Sequence, residues 1–354
     1  MKQDLMLEPL PAGKLPGWLL RKVLPTSARD PDILVGPGLG RDAAAIAVGD
    51  RVIVAKNDPI TFASEGGAAH LVEVNANDVA CMGATPRWLL VTALLPHGVS
   101  PADVLNQFAE LRETCRQRSV ELIGGHTEIV PGLVRPILVG MMLGDASPHE
   151  LLRPGQAQPG DVLLVTKGLA IEGTALLARE RADELRERIG DESLRAAARL
   201  MDRPGISVVA EAEIARRSGK VTALHDPTEG GLASAVRELA MVSGAGVEID
   251  AEAVPILPET RAIADALGVD PMGILASGSL LIATRPEGVP TIVHDIEAAG
   301  IPVRVVGRLT DDPQEASLIS GGKRRPLPEF AVDEVARLLS EGGESSPSTP
   351  APNS

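Results

Sequence analysis

The sequence predicts a two-domain protein in which strands alternate with helices, of the α/β or α+β class. Its 354 residues suffice for two domains of ordinary size, and 44% of them are hydrophobic. Apolar runs typical of strands alternate with amphipathic, helix-like stretches in both halves of the chain. Aromatic residues are nearly absent, so the core must be built from Val, Leu, Ile, Ala and Met.

The first half predicts a short amphipathic stretch near Trp18, a helix over 67–82 that ends at Gly83, and a helix that begins at Ser100-Pro101. The runs Ala44–Val48 and Arg51–Ala55 flank Gly49-Asp50 and predict a β-hairpin. Further strands are predicted at Ile33–Val35, Trp88–Leu95, Glu121–Ile123 and Pro136–Leu143.

The second half repeats this alternation, with strands predicted at Asp161–Thr166, Val221–Leu224, Gly278–Ala283 and Val303–Val306. Helices are predicted from Gly168 to about Glu187, at 206–217, after the HDPTEGG turn and at 288–299. We therefore expect an N-terminal segment at 1–30, domains at 31–147 and 160–335, and a disordered tail at 340–354 rich in Ser and Pro.

The composition excludes several classes of protein. A net charge of −14 and the lack of aromatic stacking platforms argue against nucleic-acid binding. No run approaches 18 apolar residues and the first residues lack a signal peptide, so we expect a cytoplasmic chain without a membrane span. Cys81 and Cys115 show no zinc spacing, and of a disulfide or two buried thiols we expect the buried thiols.

Three aspartate motifs in the first half each allow a plain structural explanation besides a functional one. The GPGLGRD segment is either a flexible turn or a loop that brings Asp42 to a ligand, and it lacks GxGxxG spacing. Asn57-Asp58-Pro59 is a turn signal that also places Asp58 at a strand end. Asp78 shares a helix face with Asn75 and Met82, where a buried carboxylate needs a cation or donors.

Two glycine-containing motifs are suited to phosphate. Gly124-Gly125-His126-Thr127-Glu128 is either a simple turn or a loop whose amides approach phosphate, with Glu128 as a metal ligand and His126 as a polar contact. His225–Gly231 places Asp226 beside glycines at a helix N-terminus, which is a ready anion site. No GxxxxGK[ST] motif exists, which argues against a P-loop NTPase.

Magnesium is the cation that fits these motifs. Mg²⁺ prefers carboxylate oxygens, water and substrate phosphates, and the chain has no basic cluster to neutralise a triphosphate. We therefore expect ATP to bind through Mg²⁺ held by Asp42, Asp58 and Asp78.

The ordered motifs GxGRDAA, NDPIT, NANDVACMGATP, GGHTE and HDPTEGGL resemble the superfamily of aminoimidazole ribonucleotide (AIR) synthase, selenophosphate synthetase, thiamine-monophosphate kinase and the hydrogenase-maturation protein HypE. The resemblance covers about residues 30–320. It implies a two-domain AIR-synthase-like fold, in which the N-terminal domain forms a β-barrel at a homodimer interface and a C-terminal α/β domain closes a cleft that binds ATP and Mg²⁺.

The resemblance also implies roles for single residues. Asp42, Asp58, Asp78 and Asp226 match the family's metal-binding positions, with Glu128 as a further ligand. Asp78, His126 and Asp226 are the catalytic candidates. The implied nucleotide-binding residues are Lys14, Gly40, Asp42, Asn77, Gly124, Gly125, Thr127 and Gly230. The chain departs from the family at Arg41 and at His126, where acidic residues are usual.

The motifs are most similar to HypE and to HypE-like proteins. The last cysteine is Cys115, so we do not expect the self-modified tail thiol of HypE. One expectation is an enzyme that uses ATP to phosphorylate or activate an oxygen of an unidentified acceptor. The other is a nucleotide-binding maturation or scaffold protein that acts with a partner and has no turnover of its own.

Overall fold

The computed structural model describes residues 10, 15, 17–25, 27–38, 40–61 and 66–342. Lys14 and most of the predicted tail lie outside the described residues. The amphipathic stretch near Trp18 forms helix α1, Gly17–Val23.

The first half of the chain forms a six-stranded, mostly antiparallel sheet with two helices. The strands lie in the order β1-β2-β3-β6-β4-β5, and only the β4–β5 pair is parallel. Helices α2 and α3 pack on one face, and their apolar side chains form one core with the sheet. The elements are β1 (Ile33–Val35), β2 (Ala44–Val48), β3 (Arg51–Ile60), α2 (Gly67–Cys81), β4 (Thr85–Pro96), α3 (Pro101–Gln117), β5 (Glu121–Val130) and β6 (Ile137–Ala146).

The second half forms a seven-stranded sheet in the order β13-β12-β9-β11-β7-β10-β8. Helices lie against both of its faces, because two separate apolar clusters flank strands β7 and β10. The elements are β7 (Val162–Thr166), α4 (Ile171–Glu180), α5 (Ala182–Ala198), α6 (Val209–Arg217), β8 (Val221–His225), α7 (Gly231–Ser243), β9 (Gly246–Asp250), α8 (Pro258–Leu267), β10 (Leu281–Thr284), α9 (Val289–Ala298), β11 (Val303–Thr310), β12 (Ala316–Ser320), β13 (Lys323–Pro326) and α10 (Glu334–Gly342).

The predicted class is confirmed, and so are the β2–β3 hairpin and the start of α3. Val48 lies opposite Arg51 across the hairpin. The Ser100 hydroxyl accepts a 3.2 Å hydrogen bond from the Asp103 amide, as its N-cap position predicts. Within the described residues the first sheet is open, so one chain does not itself close the barrel that the resemblance implies.

Three local predictions are wrong. Strand β3 continues to Ile60, so Asp58 lies inside it and pairs with Gly140 rather than following its end. Strand β5 continues to Val130 and includes the glycine pair, because it pairs with β4 along its length. Helix α10 runs to Gly342, into the segment predicted as tail.

Helix α2 joins the two halves through one face. Residues four, three and four apart lie on the same side of a helix, and this spacing gives an interface stripe of His70, Val74, Asn77 and Cys81. His70 Nε2 lies 2.9 Å from Glu172 Oε1 at the start of α4. Val74 packs on a small apolar cluster of the second half.

Candidate functional site

The site is built around a lysine between two aspartates on neighbouring elements. Lys56 Nζ lies 2.8 Å from Asp78 Oδ2 of α2 and 3.2 Å from Asp58 Oδ2 of β3. Lys56 and Asp58 are two residues apart on one strand, so they project from the same face, toward α2. The Asp78 side chain is 8% exposed, whereas that of Asp58 is 41% exposed.

Asn75 fixes the backbone of Asp58 against α2. Its Oδ1 accepts from the Asp58 amide at 3.0 Å, and its Nδ2 donates to the Asp58 carbonyl at 3.4 Å. A Cβ on Gly140, the strand neighbour of Asp58, would come within 2.8 Å of Asn75 Nδ2. The glycine therefore leaves the space in which this amide sits.

The second half contributes Asp226 and His225, at the end of β8. Cys81 Sγ donates to Asp226 Oδ1 at 3.8 Å, and His225 Nδ1 lies 3.0 Å from Asp42 Oδ2. His225, Asp42 and Cys81 line a cleft of about 40 Å³, which is room for water or an ion. We call Asp42, Asp58, Asp78 and Asp226 the acidic cluster.

Burial and repulsion between carboxylates raise the pKa of two members of the acidic cluster, Asp78 and Asp226. Burial, and then the charge of Asp226, raises the pKa of Asp78 well above its ordinary value. Burial and Asp42 raise the pKa of Asp226 to about 6. Burial alone would lower the pKa of His225, but Asp42, Glu238 and Asp226 together raise it well above its ordinary value.

Such a cluster needs cations. Among the residues the structure describes, no three His, Cys, Asp or Glu side chains are placed to hold a metal ion by themselves. Mg²⁺ does not require such a cage, because it keeps several waters and binds through one or two carboxylates plus phosphates. Oxygen donors whose charges repel one another in a buried site fit this cation, and Asp78, Asp226 and Asp42 are the residues that would hold it.

The residues of the GGHTE motif lie away from the acidic cluster. They are on β5, at the edge of the sheet, and β5 is three strands from β3, a distance of about 14 Å. The side chains of His126 and Glu128 are 68% and 60% exposed, and they face each other at 3.5 Å. Thr127 and the glycine pair share this strand, so none of these residues reaches the cluster within one chain.

Two other predicted binding residues, Asn77 and Gly230, have structural partners, and a third, Gly40, lies at the cleft. Asn77 Nδ2 donates to the Ile206 carbonyl at 2.9 Å, and its Oδ1 accepts from Val208 at 2.8 Å. The Gly230 amide donates to Asp333 Oδ2 at 2.8 Å and is not free to bind phosphate. Gly40 lines the cleft beside Asp42.

Sequence reasoning missed Lys56 and His225 as members of the site. The spacing of Lys56 and Asp58 on one strand face was the available signal for the first, and the adjacency of His225 to Asp226 for the second. Arg41, which departs from the family pattern, donates from Nη1 to the carbonyls of Gly36 and Pro37 and so holds its own loop.

The fold and the acidic cluster define a two-domain protein with a carboxylate-lined cleft between its halves. Two family models match the chain: AIR synthase related protein, N-terminal domain, over residues 40–146, and AIR synthase related protein, C-terminal domain, over residues 158–319. The chain belongs to the AIR synthase related family, and within it the chain is HypE-like.

Individual proteins and solved structures are also similar to this chain. The chain is 26% identical to carbamoyl dehydratase HypE of Rhizobium leguminosarum bv. viciae, over 77% of this chain and 78% of the relative. It is 31% identical to selenide, water dikinase of Pseudomonas straminea, over 66% of this chain and 64% of the relative. The crystal structure of hydrogenase maturation protein HypE in complex with ATP has the same fold, with a TM-score of 0.67, 19% identity, and coverage of 92% of this chain and 98% of that one.

Proposed function

We propose that this chain is a Mg²⁺-dependent, ATP-binding enzyme that phosphorylates or activates an oxygen of a small-molecule or protein acceptor, as a HypE-like protein. The observation that carries the proposal is the convergence of the acidic cluster from both halves of the chain. It gathers carboxylates around the C-terminal end of α2, where burial and the charge of Asp226 raise the pKa of Asp78, and burial and the charge of Asp42 raise the pKa of Asp226.

The chemistry follows from charge. Asp78, Asp226 and Asp42 would hold Mg²⁺, and the bound cation would supply neutralisation of the charge that develops on the transferred phosphoryl group. Asp78 and Asp226 would orient the metal, and Asp42, paired with His225, would complete its surroundings. Lys56 would keep the Asp58 and Asp78 carboxylates apart and directed into the cleft.

The acceptor is expected to come from outside the chain's own thiols. Cys81 and Cys115 are both buried, at 3% and 2% exposure. Burial raises the pKa of each thiol, to about 11 for Cys115, so neither is held as a reactive thiolate. We propose that a second molecule, either a metabolite or a maturation partner, supplies the reacting group.

We further propose that two copies of the chain associate through the first sheet. The face of this sheet away from α2 and α3 carries apolar side chains that remain partly exposed, such as Ile46 at 37% and Met141 at 41%. Its edge strand β5 has mostly exposed residues and presents His126 and Glu128. In a dimer these residues would gain a partner surface, and the GGHTE motif would face the second copy.

None of the described helices is long and apolar enough to cross a membrane.

The test is nucleotide turnover with identification of the product. Purified protein is incubated with ATP, Mg²⁺ and candidate acceptors, and ADP and AMP are separated by chromatography. Asp78→Asn should reduce turnover at least 100-fold, because it removes a buried metal-facing charge, whereas exposed Asp311→Asn should not. Equal rates for Asp78→Asn and the wild type would refute the metal assignment. Mg²⁺-dependent thermal stabilisation by ATP without either product would favour the partner-binding scaffold instead.

A further inference from the structure

Lys56 lies between two carboxylates of the acidic cluster. Its ammonium is within hydrogen-bonding distance of Asp58 Oδ2 and Asp78 Oδ2, on two different elements. Its side chain is only 15% exposed, so the charge is largely shielded from solvent. Two hydrogen bonds between the Asn75 side chain and the Asp58 backbone hold one of the two carboxylates in place.

Lys56 supplies positive charge to the acidic cluster. Its Nζ pairs with Asp78 at 2.8 Å and with Asp58 at 3.2 Å. Removing the ammonium would leave both carboxylates without this partner, and the Asp78 side chain is only 8% exposed.

A divalent cation and this ammonium compete for the same oxygens. Mg²⁺ binds carboxylate oxygens at about 2.0–2.1 Å, so it cannot sit between Asp58 Oδ2 and Asp78 Oδ2 while Lys56 Nζ does. Either cation satisfies the requirement that a buried carboxylate be paired.

We propose that Lys56 is a built-in cation of the acidic cluster, which holds the place of one divalent metal between Asp58 and Asp78. The cluster then folds without metal, and divalent cations are needed only at the Asp78–Asp226 side, where they would bring in phosphate. This inference rests on the proposed metal site, but its test uses no nucleotide and no acceptor, so it stands or fails separately from turnover.

The experiment compares thermal melting of metal-free and Mg²⁺-loaded protein. Wild type, Lys56→Met, Lys56→Arg and exposed Lys323→Met are purified in MgCl₂, and each is melted in EDTA and in 5 mM MgCl₂. Wild type, Lys56→Arg and Lys323→Met should melt within about 1–2 °C in the two buffers. In EDTA, Lys56→Met should melt at least 5 °C below the wild type. In MgCl₂ its melting temperature should recover most of that difference.

A charge-compensated double variant is the control for a general folding defect. Lys56→Met/Asp58→Asn removes one positive and one negative charge, and should melt similarly with and without Mg²⁺. Mn²⁺ titration, read by electron paramagnetic resonance, should show that Lys56→Met binds Mn²⁺ at least 10-fold more tightly than the wild type. The proposal is overturned if Lys56→Met loses no stability in EDTA, if divalent cations fail to restore it, or if the double variant is as metal-dependent as Lys56→Met.

Discussion

Asn77 offers the sharpest test of how the two halves are joined. The resemblance assigns it to nucleotide, whereas the structure gives both of its amide atoms to the second half of the chain. Asn77→Ala removes two hydrogen bonds and leaves the Ile206 carbonyl and the Val208 amide unpaired in a fully buried place. Each lost bond and each orphaned group costs about 1 kcal/mol or more, so we expect a loss of about 2–4 kcal/mol in the free energy of unfolding.

Urea unfolding followed by circular dichroism measures this loss as a lower midpoint concentration. Exposed Asn106→Ala on α3 is the matched control, and should change stability by no more than about 0.5 kcal/mol. If Asn77→Ala lowers the free energy of unfolding by less than about 0.5 kcal/mol while weakening ATP binding strongly, Asn77 binds nucleotide rather than joining the two halves. That result would refute the interface role of Asn77.

Two further predictions concern the pH response and the dimer. Burial opposes the charged forms of His70 and Glu172, but their mutual attraction outweighs burial, raising the pKa of His70 and lowering that of Glu172. Their stabilisation should therefore be complete between the ordinary pKa of Glu, 4.5, and the ordinary pKa of His, 6.5. Above that window it should be lost as pH rises through the raised pKa of His70, and below it as pH falls through the lowered pKa of Glu172. Glu172→Gln should lower the melting temperature most inside that window, while exposed Glu180→Gln should leave the profile unchanged; parallel profiles for both variants would contradict this. For the dimer, Met141→Glu should convert a species of twice the chain mass into monomer in light scattering, whereas Val134→Glu, in a turn and 92% exposed, should not. A wild-type monomer at micromolar concentration would refute the proposed interface.

Local patterns predicted the elements whose own residues determine them. The β2–β3 hairpin forms around Gly49-Asp50 because its two apolar runs pair directly with each other. Helix α2 ends at Cys81, just before Gly83, whose φ of 78° is accessible to glycine at little cost. In both cases the information lies within a few residues of the feature.

The two mistaken strand predictions both involve distant partners. Gly124-Gly125 reads as a turn, yet β4 supplies a full set of strand partners, and a Cβ on Gly125 would come within 1.9 Å of the Val91 carbonyl oxygen. The lack of a side chain at Gly125 therefore allows the close approach of β4. Asp58 reads as a strand end because Pro59 follows, yet β6 pairs with β3 beyond this point. No local pattern around Lys56 predicts that the Asp78 carboxylate, on another element, lies 2.8 Å from its Nζ.

Helix α2 contributes residues to both the acidic cluster and the domain interface. Asp78 projects toward β3, while the interface stripe on the neighbouring face contacts Glu172, Ile206 and Asp226. One helical turn separates Asn77, which fixes the second half, from Cys81, which donates to the cluster's Asp226. A shift of the second half along α2 would therefore move Asp226 relative to Asp78, and with it the spacing of the carboxylates that would receive a metal. The geometry of the acidic cluster thus depends on domain packing, and substitutions in the interface stripe should alter metal affinity even where they touch no carboxylate.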